Sequence, residues 1–159
     1  MLICTPSSVC SWDFRVARGA DLVATLTFDF WSEQGTIACD GVAYDVRKHG
    51  PGSGKWTLES NGAVAAEANK ASVFMRVFDL RVTDHAYAVR ARSVATRSFN
   101  VLHDGDVIGT IRPAHAFTRR AVIECDRRFG DLGQAFAFWL IVLTWRRAAR
   151  RRSTSAAPA

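Results

Sequence analysis

Hydrophobic and polar residues alternate with a period of two through most of the chain, the pattern of strands that bury one face. Extended segments are predicted over residues 14–17, 23–30, 36–39, 42–48, 55–60, 64–68, 73–82, 86–92, 98–103, 107–111 and 120–125. Asp40-Gly41, Asn61-Gly62 and Asp104-Gly105 fall between such segments. Each dipeptide readily supplies two successive residues with positive φ, so each marks a tight hairpin turn.

The alternation repeats at a longer range. Ala43-Tyr44-Asp45-Val46-Arg47 returns 43 residues later as Ala86-Tyr87-Ala88-Val89-Arg90, with four of five residues unchanged. In the same register Trp56-Thr57-Leu58 falls on Phe99-Asn100-Val101, Asn61-Gly62 on Asp104-Gly105, and Phe74-Met75-Arg76 on Phe117-Thr118-Arg119. A stretch near the N-terminus could be a third, decayed copy. Within the repeated strand, Tyr44 and Val46 share a face, as do Tyr87 and Val89, and these are expected to point inward. Asp45, Arg47, Arg90 and Arg92 then lie on the outer face. A sheet of this many short strands has two edges to protect, and closure into an antiparallel barrel removes both.

The pattern changes near the C-terminus. Residues 134–149 contain neither proline nor glycine, and residues 135–145 are apolar on every side. A helix with no polar face must be buried in protein or in lipid. Asp131 precedes it and arginines crowd its far end, which suits the helix dipole at both termini. The eleven apolar residues rise only about 16 Å, short of the roughly 20 residues that span a bilayer. The helix is therefore expected to plug the barrel, with insertion in a membrane interface as the alternative. Residues 1–149 are read as one domain with a core helix over about 134–149, and residues 150–159 as a basic, disordered tail.

Composition adds the electrostatics. The 159 residues include 21 Lys and Arg against 15 Asp and Glu, a net charge of +6, which favours an anionic partner. Arg146, Arg147, Arg150, Arg151 and Arg152 contribute most of the excess. Cys4, Cys10, Cys39 and Cys125 lack the paired spacing of a zinc or redox site and are read as reduced thiols. No signal-peptide pattern precedes Trp12, so a cytoplasmic location is expected.

No catalytic constellation emerges. His49, His85, His103 and His115 occur singly, and no metal site or cofactor is expected. Residues 50–55 resemble a phosphate-binding loop only in glycine content and a terminal lysine; the full pattern is missing and a strand, not a helix, should follow. Arg47, Lys48, Arg90 and Arg92, joined by Arg119 and Arg120 if the fold brings their strands together, are the candidate ligand-binding residues. They would hold phosphate groups by charge-assisted hydrogen bonds. Aromatic and basic residues are not interleaved as in single-strand readers, which argues against nucleic acid.

Tyr44-x-Val46-Arg47-Lys48, Trp56 ahead of the Asn61-Gly62 hairpin, residues 99–111 around Asp104-Gly105, and the helix over 134–145 together resemble the LURP-one-related and tubby C-terminal-like family, which includes the phospholipid scramblases. The likeness spans about residues 30–147. It implies a barrel of about twelve strands around a central hydrophobic C-terminal helix, and a non-catalytic domain that binds anionic phospholipid headgroups or a membrane surface. A scramblase-like protein whose helix enters the bilayer is the second reading it offers. The chain lacks the acidic, calcium-ligand-like segment and the proline-rich N-terminal region of scramblases. The headgroup-binding residues of tubby domains have no position-by-position match.

Overall fold

The computed structural model describes residues 1–50, 52, 54–70, 76–93 and 96–155. Twelve strands form one closed antiparallel barrel: β1 (Leu2–Pro6), β2 (Phe14–Arg18), β3 (Asp21–Phe28), β4 (Gly35–Cys39), β5 (Val42–Lys48), β6 (Lys55–Ser60), β7 (Ala63–Asn69), β8 (Val77–Val82), β9 (His85–Ala91), β10 (Phe99–His103), β11 (Asp106–Pro113) and β12 (Ala121–Cys125). Each strand pairs with its neighbours in sequence, and β1 closes the ring on β12 through Leu2↔Ile123 and Cys4↔Ala121. β8 starts at Val77; residues 73–75 of the longer predicted strand, with Phe74 and Met75 of the repeat, lie outside the described residues.

The repeat is threefold. Phe14, Trp56 and Phe99, spaced 42 and 43 residues apart, open β2, β6 and β10 or lie one residue in, and all three are fully buried. Val16, Leu58 and Val101 follow at the same spacing, as do Ile37, Leu80 and Ile123 at 43 and 43. The hairpins β2–β3, β6–β7 and β10–β11 each shift register at the equivalent place, between Val16 and Ala17, Leu58 and Glu59, and Val101 and Leu102. An extra residue there bends the strand and tightens its twist, which helps a sheet curl into a barrel. The first copy, β1 to β4, keeps the buried positions and the bulge while losing the Tyr-x-Val motif.

Inward positions are apolar and outward ones polar or charged, the reverse of a barrel that faces lipid with its walls. Val46, Tyr87 and Val89 are buried, Tyr44 half-buried, and Arg47 and Arg90 exposed, as the alternation required.

Helix α1 (Asp131–Ser155) fills the interior. A 3₁₀ turn at Arg127–Phe129, capped by the Asp126 carboxylate, reverses the chain after β12, and Gly130 at φ 65° leads into the helix. Arg18 at the end of β2 holds Asp131 at 2.5 Å, fixing where the helix begins. Every residue from Ala135 to Val142 is fully buried. Phe138 meets Phe14 edge-on at 5.0 Å, and Trp139 stacks on Phe28 at 4.9 Å with the rings 6° from parallel.

The helix is longer than expected at both ends, starting at Asp131 and not at 134. The stretch read as a disordered tail from residue 150 is helical through Ser155, and residues 156–159 lie outside the described residues. Alanine and arginine are good helix formers, cations favour the C-terminal turns, and the hydroxyls of Ser153 and Thr154 bond back to the carbonyls of Ala149 and Arg150. Among the described residues no helix is long and apolar enough to cross a membrane.

Candidate functional site

Because neighbouring strands run in opposite directions, the connections alternate between the two ends of the barrel. One end holds two-residue hairpins, with Asp40-Gly41, Asn61-Gly62 and Asp104-Gly105 at φ of 51° and 77°, 51° and 78°, and 51° and 90°. Only a glycine, or an Asn or Asp that bonds locally, adopts such angles readily. The other end holds connections of six or seven residues, at 7–13, 29–34, 49–54, 70–76, 92–98 and 114–120. The helix enters at the hairpin end and emerges among the long loops.

Charge follows the same division. Eleven of the 21 lysines and arginines sit at the loop end: Lys70, Arg76, Arg92, Arg97, Arg119 and Arg120 on the loops, and Arg146, Arg147, Arg150, Arg151 and Arg152 on the helix. Only three carboxylates, Asp13, Asp29 and Glu33, accompany them. The hairpin end, with the start of the helix, has Asp40, Asp84, Asp104, Asp126 and Asp131 against Arg127 and Arg128. The strands themselves are close to balanced. The barrel is thus polarised along its axis, with the cations gathered where the helix exits.

The field at that end is visible in its own groups. Burial pushes the Lys70 ammonium below its usual range, and the nearby Arg147, Arg151 and Arg76 push it further down against the opposing pull of Glu33. Burial lowers Arg97 as well, with Arg152 adding to it, and Arg146 is lowered by burial and then by Arg150. Arg92, Arg120, Arg151 and Arg152 are exposed and make no ion pair among the described residues.

Several of the other arginines hold the loops in place. Arg147 grips Glu33 with both nitrogens, at 2.5 and 2.7 Å, and Lys48 reaches the same carboxylate at 2.7 Å. Burial raises the Glu33 pKa, but the hydrogen bonds from Arg147 and Lys48 outweigh it and bring it to about 2. Arg146, itself buried, donates to the carbonyls of Asp29 and Phe30 at 2.9 and 3.3 Å, and Arg150 adds a bond to Phe30 at 2.9 Å. Arg97 lies over the Trp145 ring at 4.3 Å.

The six residues singled out from sequence are divided by this geometry. Arg47 and Lys48 end β5, Arg90 and Arg92 end or follow β9, and Arg119 and Arg120 precede β12. Three strands separate β5 from β9 around the ring, and two separate β9 from β12, so the barrel wall does not bring the six into one patch. Arg47 faces Asp45 and Glu59 at 3.7 and 3.4 Å, and Arg90 lines an open depression of about 430 Å³ with Glu67, Asp79 and Arg81. Both belong to mixed-charge walls. Lys48 is consumed by Glu33, and Arg119 donates to the carbonyls of Ser8, Val9 and Ser11 while lying 5.2 Å from the Trp12 ring. Only Arg92 and Arg120 join the exposed cations of the loop end. Sequence reasoning missed Lys70, Arg76 and Arg97 there; the signal available was the alternation of two-residue turns with long connections.

No group of three or more metal-ligating side chains occurs among the described residues. His85, Tyr87 and His103 form a ring cluster with titratable members, at 4.8 to 6.4 Å, with Tyr87 donating to the Arg128 carbonyl at 3.3 Å. Burial raises the thiol pKa of Cys4 and pushes those of Cys39 and Cys125 up to about 12, leaving all three protonated and poorly nucleophilic near neutral pH. In the glycine-rich connection, Pro51 and Ser53 lie outside the described residues, and Lys55 opens β6.

Comparison with known proteins returned no matching family model, no matching curated protein and no matching solved structure.

Proposed function

We propose that the protein is a non-catalytic binding or scaffold domain that docks on anionic phospholipid headgroups through the loop end of its barrel. The gathering of eleven cations against three carboxylates at one end carries this reading. A surface of that sign is drawn to an anionic leaflet by about 1 kcal/mol for each lysine or arginine brought close to it. Arg92, Arg120, Arg151 and Arg152 are free to take phosphate oxygens, while the guanidiniums around them keep the local potential positive. The likeness to the LURP-one-related and tubby-like family points the same way, as does the barrel plugged by a hydrophobic helix.

Insertion of the C-terminal helix into the bilayer is the weaker reading. It requires that helix to leave an interior in which residues 135–142 are fully buried. Co-sedimentation of the full chain with vesicles separates electrostatic docking from no docking. Binding to vesicles of equal parts phosphatidylcholine and phosphatidylserine is expected at low salt, with weakening as salt shortens the range of the field, and no binding to phosphatidylcholine alone. Indifference to the anionic vesicles at low salt overturns the proposal.

A further inference from the structure

The loop end also carries exposed apolar side chains. Val9, Phe30, Trp31 and Phe117 are 91%, 72%, 88% and 102% exposed. They occupy the connections β1–β2, β3–β4 and β11–β12, which are consecutive around the ring because β1 sits between β12 and β2. One arc of the rim is therefore tipped with large apolar groups, and the remaining loops carry Lys70, Arg76, Arg92 and Arg97.

Basic residues beside these tips anchor the backbone of the loops that carry Val9, Phe30 and Trp31. Arg146 and Arg150 bind the carbonyl of Phe30, and the Ser32 hydroxyl bonds to Asp29 and accepts from the Gln34 amide, so the backbone under Phe30 and Trp31 is fixed. The two rings pack edge to face at 4.6 Å. Arg119, two residues beyond Phe117, ties its loop to the carbonyls of the loop that bears Val9. Exposed to this extent, these side chains bury little area against the barrel and contribute little to its stability.

We infer that Phe30, Trp31, Phe117 and Val9 form a wedge that enters the interface of an anionic bilayer, with the barrel docked end-on and the surrounding arginines at the headgroups. This rests on the proposed phospholipid docking and adds an orientation and a second source of affinity. Tryptophan and phenylalanine favour the depth between headgroup and acyl chain, and a cationic ring around apolar tips is the combination that holds a protein in that layer. Nucleic acid fits the same end less well, because tips on three separate loops, one of them aliphatic, offer no continuous track for stacked bases.

Trp31 is 88% exposed, whereas Trp56, Trp139 and Trp145 are buried and Trp12, on the same rim, is half-buried against the core. The comparison is therefore made in a Trp12→Phe background, in which Trp31 is the accessible fluorophore. In that background the full chain and its Trp31→Phe variant are mixed with phosphatidylserine-containing vesicles whose phosphatidylcholine is brominated on the acyl chains. Quenching present in the parent and missing in Trp31→Phe is expected. Trp31→Ala and Phe117→Ala should each weaken vesicle binding by about tenfold, as partial burial of one large apolar side chain implies, with unchanged thermal unfolding because both side chains are exposed. Vesicle binding that persists without Trp31 quenching, and that the alanine variants leave intact, overturns the wedge and leaves headgroup docking standing. Absence of binding to anionic vesicles overturns both, and quenching of Trp31 by a single-stranded oligonucleotide in that case assigns the end to nucleic acid.

Discussion

Glu33 is the residue on which the order of the loop end turns. Its carboxylate bridges Arg147 and Lys48, tying the connection 29–34 to the helix and to β5. A folded pKa of about 2, below the ordinary 4.5, means that its contribution is fully present above 4.5 and is lost as pH falls from there towards 2. Glu33→Gln should therefore lower stability near neutral pH by about 2 kcal/mol, the scale of a charged hydrogen-bonded contact. The gap between parent and variant in urea unfolding should close as pH drops through that window. A gap that is constant with pH would show that the carboxylate charge is not what holds the loop. None of this was legible in the chain, where Glu33 and Arg147 stand 114 residues apart.

At the scale of elements, legibility followed periodicity. Eleven of the twelve strands and the helix could be placed from alternation, turn dipeptides and the unbroken apolar run, because those features are local and each has a single physical solution. β1 could not. Leu2–Pro6 is short, ends in proline and acquires its strand identity from the two neighbours it joins, β12 and β2, a tertiary effect that propensity does not carry. The N-terminal copy of the repeat was raised from the sequence only as a decayed stretch without a register, since β1 to β4 preserve buried positions and the bulge, which are matters of volume and register, and not the Tyr-x-Val motif. The helix is the core of the account at this scale. Trp139 is fully buried and stacked on Phe28, so Trp139→Ala should cost about 3–5 kcal/mol through lost contacts and the cavity left behind. Chemical denaturation of the two chains measures it. A loss under about 1 kcal/mol would mean that the helix is not packed against the barrel as described.

For the whole molecule, the feature of consequence is the axial separation of charge, which no strand, loop or motif shows alone. It arises because every second connection reaches the same end. Cations on loops and strand termini tens of residues apart therefore collect there, together with those of the last helical turns. Reading the repeated motif singled out Arg47, which Asp45 and Glu59 face, and Arg90, which lines a depression of mixed charge with Glu67, Asp79 and Arg81, while counting strands by parity leads to the loop end. The fold was thus largely readable and the site largely not: periodicity reports which way a side chain faces, whereas a site gathered from six connections depends on closure of the ring.

Polarity of docking is the claim to test. Arg120→Glu, Arg151→Glu and Arg152→Glu combined reverse three exposed charges at the loop end, and Arg127→Glu with Arg128→Glu reverses two exposed charges at the hairpin end. In vesicle co-sedimentation with equal parts phosphatidylcholine and phosphatidylserine at low salt, the first set should weaken binding by about a hundredfold or more, at roughly 1 kcal/mol for each charge removed and further repulsion for each one added. The second set should leave binding near that of the parent. Equal losses from both sets, or none from the first, would contradict end-on docking through the basic rim.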